Sequence, residues 1–149
     1  MTKEKIQDAI YTRRYVYNFH YHLIWATKYR HQTFSTKELA DEMKDILRMV
    51  AKDNEIVIEK MEVMPDHVHV LISFPPSKAP TSAIKALKGR SAFIFLKRHP
   101  EIRQSQYWGG HLWSPSYYMS TLGNMSKETV EKYINDQKYN EMKKAPYRA

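Results

Sequence analysis

The sequence predicts an α+β fold: an antiparallel sheet with helices on one face. Three observations predict it. Runs of β-branched and aromatic residues alternate with stretches of helical periodicity. Their order is β-α-β-β-α-β-α, and its first six elements match the split βαβ pattern of ferredoxin-like and RNA-recognition folds. The chain has 149 residues, 42% of them hydrophobic, which suits one domain of ordinary size. No repeat, linker or composition shift divides it.

Residues 1–14 are polar and mixed in charge, and read as a loose arm rather than a signal peptide. From Tyr15 to Tyr29 the run YVYNFHYHLIWATKY has no Gly or Pro and reads as one long strand. Ser35 or Thr36 can cap the next helix. There Leu39, Met43, Ile46, Leu47 and Val50 form an amphipathic stripe, ended by Asp53-Asn54. EIVIEKMEV (55–63) and HVHVLISF (67–74) are strand-like, and the break Met64-Pro65-Asp66 between them predicts a hairpin. Pro75-Pro76 stops the second strand. Thr81 to Lys97 forms a helix with Ile84, Leu87 and Ile94 inward and Lys85 and Lys88 turned away. Gly89 in its middle costs about 1 kcal/mol relative to Ala, which is tolerated where a backbone or ligand comes close. His99-Pro100 ends that helix. YWGGHLWSPSYYMSTL (107–122) reads as one or two aromatic strands broken by Gly109-Gly110 and Pro115. Ser126 caps a last helix over 126–142, with Glu128 in its first turn. Residues 143–149 are a basic tail.

Composition excludes several classes. With no cysteine there is no disulfide framework and no thiolate metal site, which fits a reducing cytoplasm. No run approaches the ~18 apolar residues of a membrane span. Disorder is excluded by the hydrophobic and aromatic content. The formal net charge of +8 invites a polyanion, and 11 Tyr, 5 Phe and 3 Trp offer stacking surfaces beside the cations. Most of those rings fill the core. The positive charge is densest over residues 78–103, where Lys78, Lys85, Lys88, Arg90, Lys97, Arg98 and Arg103 face one acid, Glu101. Lys85, Lys88 and Arg90 are candidates for phosphate contacts, as are Arg13, Arg14, Lys28 and Arg30.

The most informative segment is MPDHVHVLI (64–72). On a strand His67 and His69 point to one face, about 7 Å apart, while Val68, Val70 and Ile72 share the other. Two such imidazoles can share a divalent metal or stand as half-exposed histidines. A second His-x-His at His20 and His22 means that the pattern alone does not choose. In the last helix Tyr133 and Gln137 are i and i+4, so they share a helical face. A Gln oxygen can ligate a hard ion, and a tyrosine oxygen beside one can act as a nucleophile. A packing tyrosine has the same spacing.

MPDHVHVLI resembles the HUH motif, two His flanking a hydrophobic residue. Together with YHLIWATKYRHQ (21–32), ALKGRSA (86–92), WGGHLWSPSYY (108–118) and EKYINDQ (131–137), it resembles the TnpA transposases with a single catalytic tyrosine. These are carried by the two-hundred/six-hundred-five group of insertion sequences. The resemblance runs from about Tyr15 to Tyr139. It implies that His67, His69 and Gln137 hold Mg²⁺ or Mn²⁺ and that Tyr133 is the nucleophile. It also implies a homodimer acting on single-stranded DNA with hairpin ends, leaving a 5′-phosphotyrosine, with active sites within or shared between protomers. Asp66, His22 and His111 are candidate supports of the ligands. Two other readings remain open on the residues: a non-catalytic module binding single-stranded nucleic acid, and a replication-initiator nickase.

Overall fold

The computed structural model describes residues 10–11, 16–17, 20–121 and 132–135. Two short strands, β1 (Ile10–Tyr11) and β2 (Val16–Tyr17), pair antiparallel as a ribbon of their own. The main sheet holds β3 (His20–Ala26), β4 (Val57–Met64), β5 (His67–Ser73) and β6 (Tyr118–Ser120) in the order β4-β5-β3-β6, with every pair antiparallel. Helix α1 (Lys37–Asp53) connects β3 to β4, and α2 (Pro80–Arg98) with α3 (Pro100–Gln106) leads from β5 toward β6. Counting from β3, the spatial order is second, third, first, fourth, which is the expected α+β arrangement. The two central strands are β3 and β5.

Alternation builds the core. Leu23 and Trp25 of β3 and Val68, Val70 and Ile72 of β5 are fully or almost fully buried on the helix-covered face. Met43, Ile46, Leu47 and Val50 of α1 and Ala83, Ile84, Leu87 and Phe95 of α2 close over them. Thr36 caps α1, its hydroxyl accepting from the Leu39 amide at 3.3 Å. The hairpin between β4 and β5 turns at Pro65-Asp66. Their carbonyls accept from the amides of Phe34 and Thr27, at 3.0 and 2.9 Å, which clamp the turn to the chain after β3.

Four expectations are corrected. The run 15–29 is not one strand: β2 belongs to the small ribbon, and β3 ends at Ala26. Beyond it Lys28–Arg30 form a 3-10 turn in which Tyr29 and Arg30 both have φ of 57°. Ile10–Tyr11, inside the expected loose arm, pairs with β2. Pro100 ends α2 as expected but opens α3, because its missing N–H costs nothing in a first helical turn. Residues 107–117 are mostly irregular; Tyr107 and Trp113 are buried by packing, with Trp113 edge-on to Trp25 at 5.7 Å, while Trp108 and Tyr117 are exposed. Of the expected last helix only 132–135 are described, and they are helical. The rest of 126–142, and the tail 143–149, lie outside the described residues.

Candidate active site

The face of the sheet away from α1 and α2 carries the polar residues of β3 and β5. His67 and His69 lie on it, half-buried, because their neighbours Val68 and Val70 are committed to the core. In the register of β5 with β3, His67 is opposite Ala26 and His69 opposite Ile24. Ile24 is in turn opposite Tyr118 of β6. His69, Ile24 and Tyr118 therefore form one row across three strands, about 10 Å from end to end.

Residues 132–135 rest on this row. Ile134 is buried against Ile24 and Ala26, and the rings of Tyr133 and Tyr118 lie 5.9 Å apart. The Tyr133 hydroxyl is 3.0 Å from Ser116 Oγ. One chain thus brings Tyr133 to the sheet face that carries both histidines. Gln137, Arg13 and Arg14 lie outside the described residues.

Asp66, at the hairpin turn, is the hub that orients the site. Its Oδ1 is 2.9 Å from His67 Nδ1. Its Oδ2 accepts from the Arg30 guanidinium, with Nε at 3.1 Å, and from Gln32 Nε2 at 3.3 Å. Burial opposes ionisation of this carboxyl, but the bonds from His67 and Arg30 outweigh it and hold the group below the usual carboxylate range. Asp66 thus stays charged and holds His67 Nδ1–H, leaving Nε2 free to coordinate. The same Arg30 donates through a third nitrogen to the carbonyl of Ile134. It ties the helical turn bearing Tyr133 to the hairpin bearing His67.

His22 lies diagonally across from His69, with Nδ1 3.4 Å from His69 Nε2 and ring centroids 5.6 Å apart. Burial, then the neighbouring His22, push the pKa of His69 down. A neutral imidazole is the form that binds metal. The donor set fits a divalent ion in part: two neutral-capable imidazoles on one face, one with its tautomer fixed by a carboxylate. Among the described residues no third His, Cys, Asp or Glu completes a ligand group. The remaining donor expected from the sequence, Gln137, is an amide outside them.

The other sequence candidates separate. Lys85 and Arg90 are exposed on α2, as expected. Lys88 is not turned away. Its ammonium donates to the carbonyls of Ser114 and Ser116 at 2.8 and 3.0 Å, and burial lowers its pKa to about 8. Lys28 sits over the Tyr29 ring at 5.3 Å. His111 is exposed in the loop after α3 and makes no contact with the histidine face among those described. Sequence reasoning passed over Ser116. Its only signal is its place in the segment WSPSYY, where Pro115 forces an irregular backbone.

The chain as a whole is similar to several known proteins. The family described as transposase IS200 like matches residues 15–137. The ISDra2 transposase TnpA of Deinococcus radiodurans is 46% identical over 125 residues, spanning 84% of this chain and 88% of that protein. The transposase for insertion sequence element IS200 of Salmonella typhimurium is 28% identical over 134 residues, 88% of this chain and 87% of that one. A crystal structure of a Deinococcus radiodurans protein assigned as a transposase superposes with a TM-score of 0.77 at 43% identity, covering 86% of this chain and 97% of that one. The REP-associated tyrosine transposase, solved bound to a REP hairpin, superposes with a TM-score of 0.52 at 18% identity, over 87% and 73% of the two chains. That last likeness is one of fold.

Proposed function

The chain belongs to the IS200-like transposase family, and on that footing we propose that it cleaves and rejoins single-stranded DNA at insertion-sequence ends through a 5′-phosphotyrosine on Tyr133. The observation that carries the reading is the packing of Tyr133 on the sheet face shared by His67 and His69.

In this reading the Tyr133 oxygen attacks the scissile phosphorus. The bond to the 3′-oxygen breaks, and that oxygen leaves as a 3′-hydroxyl. The new ester keeps the free energy of the broken phosphodiester, so attack by another 3′-hydroxyl rejoins the strand without an external energy source. Ser116 Oγ orients the tyrosine hydroxyl. Arg30 fixes the turn that carries Tyr133, and Asp66 fixes the tautomer of His67. His67, His69 and Gln137 would hold Mg²⁺ or Mn²⁺, which when bound polarises the phosphoryl oxygen and stabilises charge on the leaving oxygen. The working form is a homodimer and the DNA end a folded hairpin, as the family resemblance implies.

The test is a denaturing gel of the protein incubated with a single-stranded hairpin end and Mn²⁺. Wild type forms a covalent protein–DNA band. Tyr133→Phe forms none, yet still retards the DNA on a native gel. A band of undiminished intensity in Tyr133→Phe would sink the assignment of the nucleophile.

A further inference from the structure

Gly89 stands in the middle of α2, where helices disfavour glycine. Its backbone does not require glycine, since Gly110 is the one described glycine with positive φ. Packing does not require it either: no other described atom lies within 4 Å of where a Cβ would stand. What Gly89 does is floor a groove. Three cavities of about 400, 360 and 330 Å³ lie end to end along α2. The first two share Ala92, Phe93 and Gly110; the second and third share Lys88, Gly89 and Pro115.

The chemistry of the groove is uniform. Lys97 and Arg103 line one end and Lys85 the other, and no carboxylate lines any of the three cavities. Phe93, on its rim, is 61% exposed, and Tyr117 closes the Lys85 end. Trp108, beside Gly109-Gly110, is 83% exposed, an unusual state for the largest apolar side chain. Exposed rings interleaved with cations suit unpaired bases and their phosphates; a duplex hides its base faces. The groove also has a destination. Next to Tyr117 is Ser116, whose hydroxyl meets that of Tyr133.

We propose that this groove is the track for the single-stranded DNA that leads to the cleaved phosphate. Bases stack on Trp108, Phe93 and Tyr117, while Lys85, Lys97 and Arg103 take the phosphates. The proposal rests on the reading of Tyr133 as a nucleophile toward DNA.

Three variants of the full chain test it: Gly89→Ala, Gly89→Leu, and the double variant Phe93→Ala with Trp108→Ala. Binding of a labelled single-stranded oligonucleotide is read by fluorescence anisotropy at fixed salt. Gly89→Ala melts higher than wild type. Gly89→Leu, which fills the floor, binds at least fivefold more weakly. The double variant binds about tenfold or more weakly, in the range of lost base stacking. Its residues are exposed, so it decides the matter if Gly89→Leu fails to fold. Wild-type affinity in the folded double variant overturns the proposal. So does an altered oligomeric state by light scattering with DNA affinity unchanged, which would make this face a contact between copies. The covalent band of Tyr133 is scored in the same samples. Groove variants that lose binding while wild type forms no band would leave the track standing and remove the nucleophile.

Discussion

The link between Arg30 and Asp66 is the most exposed to a quantitative test. Their side chains are 11% and 14% exposed. Arg30→Ala withdraws two donors from Asp66 and one from the carbonyl of Ile134. Breaking a buried pair by removing one partner costs about 3–5 kcal/mol. This pair is close to the surface, and Asp66 keeps His67 and Gln32, so the cost falls to about 2–3 kcal/mol. For a chain of this size each kcal/mol moves Tm by about 2–4 °C, giving a loss of about 4–12 °C. Urea unfolding of Arg30→Ala, Asp66→Asn and the double variant closes a cycle, and the expected coupling is about 1.5 kcal/mol or more. Arg30→Lys keeps the charge but not the fork, and recovers less than half of the loss. A coupling under about 0.5 kcal/mol would mean that the two side chains are merely adjacent, and that nothing ties Tyr133 to the hairpin through them.

Three further outcomes follow from the same structure. Folded Lys88 loses its proton near pH 8 and the unfolded side chain near 10.5, so between these values the unfolded state binds more protons and stability rises with pH. The rise is about 1–3 kcal/mol relative to Lys88→Met, trimmed by the two carbonyl bonds that favour the charged form; parallel stability curves for the two proteins would refute it. Thr36→Ala removes the cap of α1 and costs about 1 kcal/mol by urea unfolding, with no change in single-strand binding. If His67 and His69 hold the divalent ion as proposed, wild-type protein gains about 2.7 kcal/mol at Mn²⁺ a hundredfold above its dissociation constant. His67→Ala and His69→Ala each lose that gain in a thermal-shift titration, and retention of it by both would place the metal elsewhere.

The readable parts of this chain are those set by local periodicity. The stripe of α1, with Thr36 before it and Asn54 after it, predicts that helix almost to the residue. The alternation around Val68 and Val70 predicts β5 and the face of its two histidines. The run 15–29 misleads because a string of strand formers carries no mark of which sheet it joins. Nor does it mark where Tyr29 and Arg30, neither of them glycine, enter the left-handed region. The 107–117 segment misleads for a related reason. Aromatics raise strand propensity and core burial alike, and here Tyr107 is buried outside any strand and Trp113 with no more than a single bridge to Thr27. Arg30 read as a cation for phosphate because its partners, Asp66 and Ile134, are far from it in sequence.

The two His-x-His patterns illustrate how topology resolves what composition leaves open. His20 and His22 lie on β3, His67 and His69 on β5, and each pair points to one face of its strand. Antiparallel pairing sets His22 opposite Leu71, hence diagonal to His69, so three imidazoles crowd one stretch of sheet. Burial, and after it the neighbouring His22, depress protonation of the inner one, His69. What separates the patterns is the hairpin. Only His67 follows a turn whose Asp66 can reach its Nδ1, and only that turn is held by Arg30 against the tyrosine-bearing segment. His20 instead meets Glu59, at the bulge where β4 slips register. The carboxylate that selects the tautomer of His67 is thus the one that accepts the guanidinium securing Tyr133. On the proposed function the chemistry therefore belongs to MPDHVH, and the earlier pair supplies its wall.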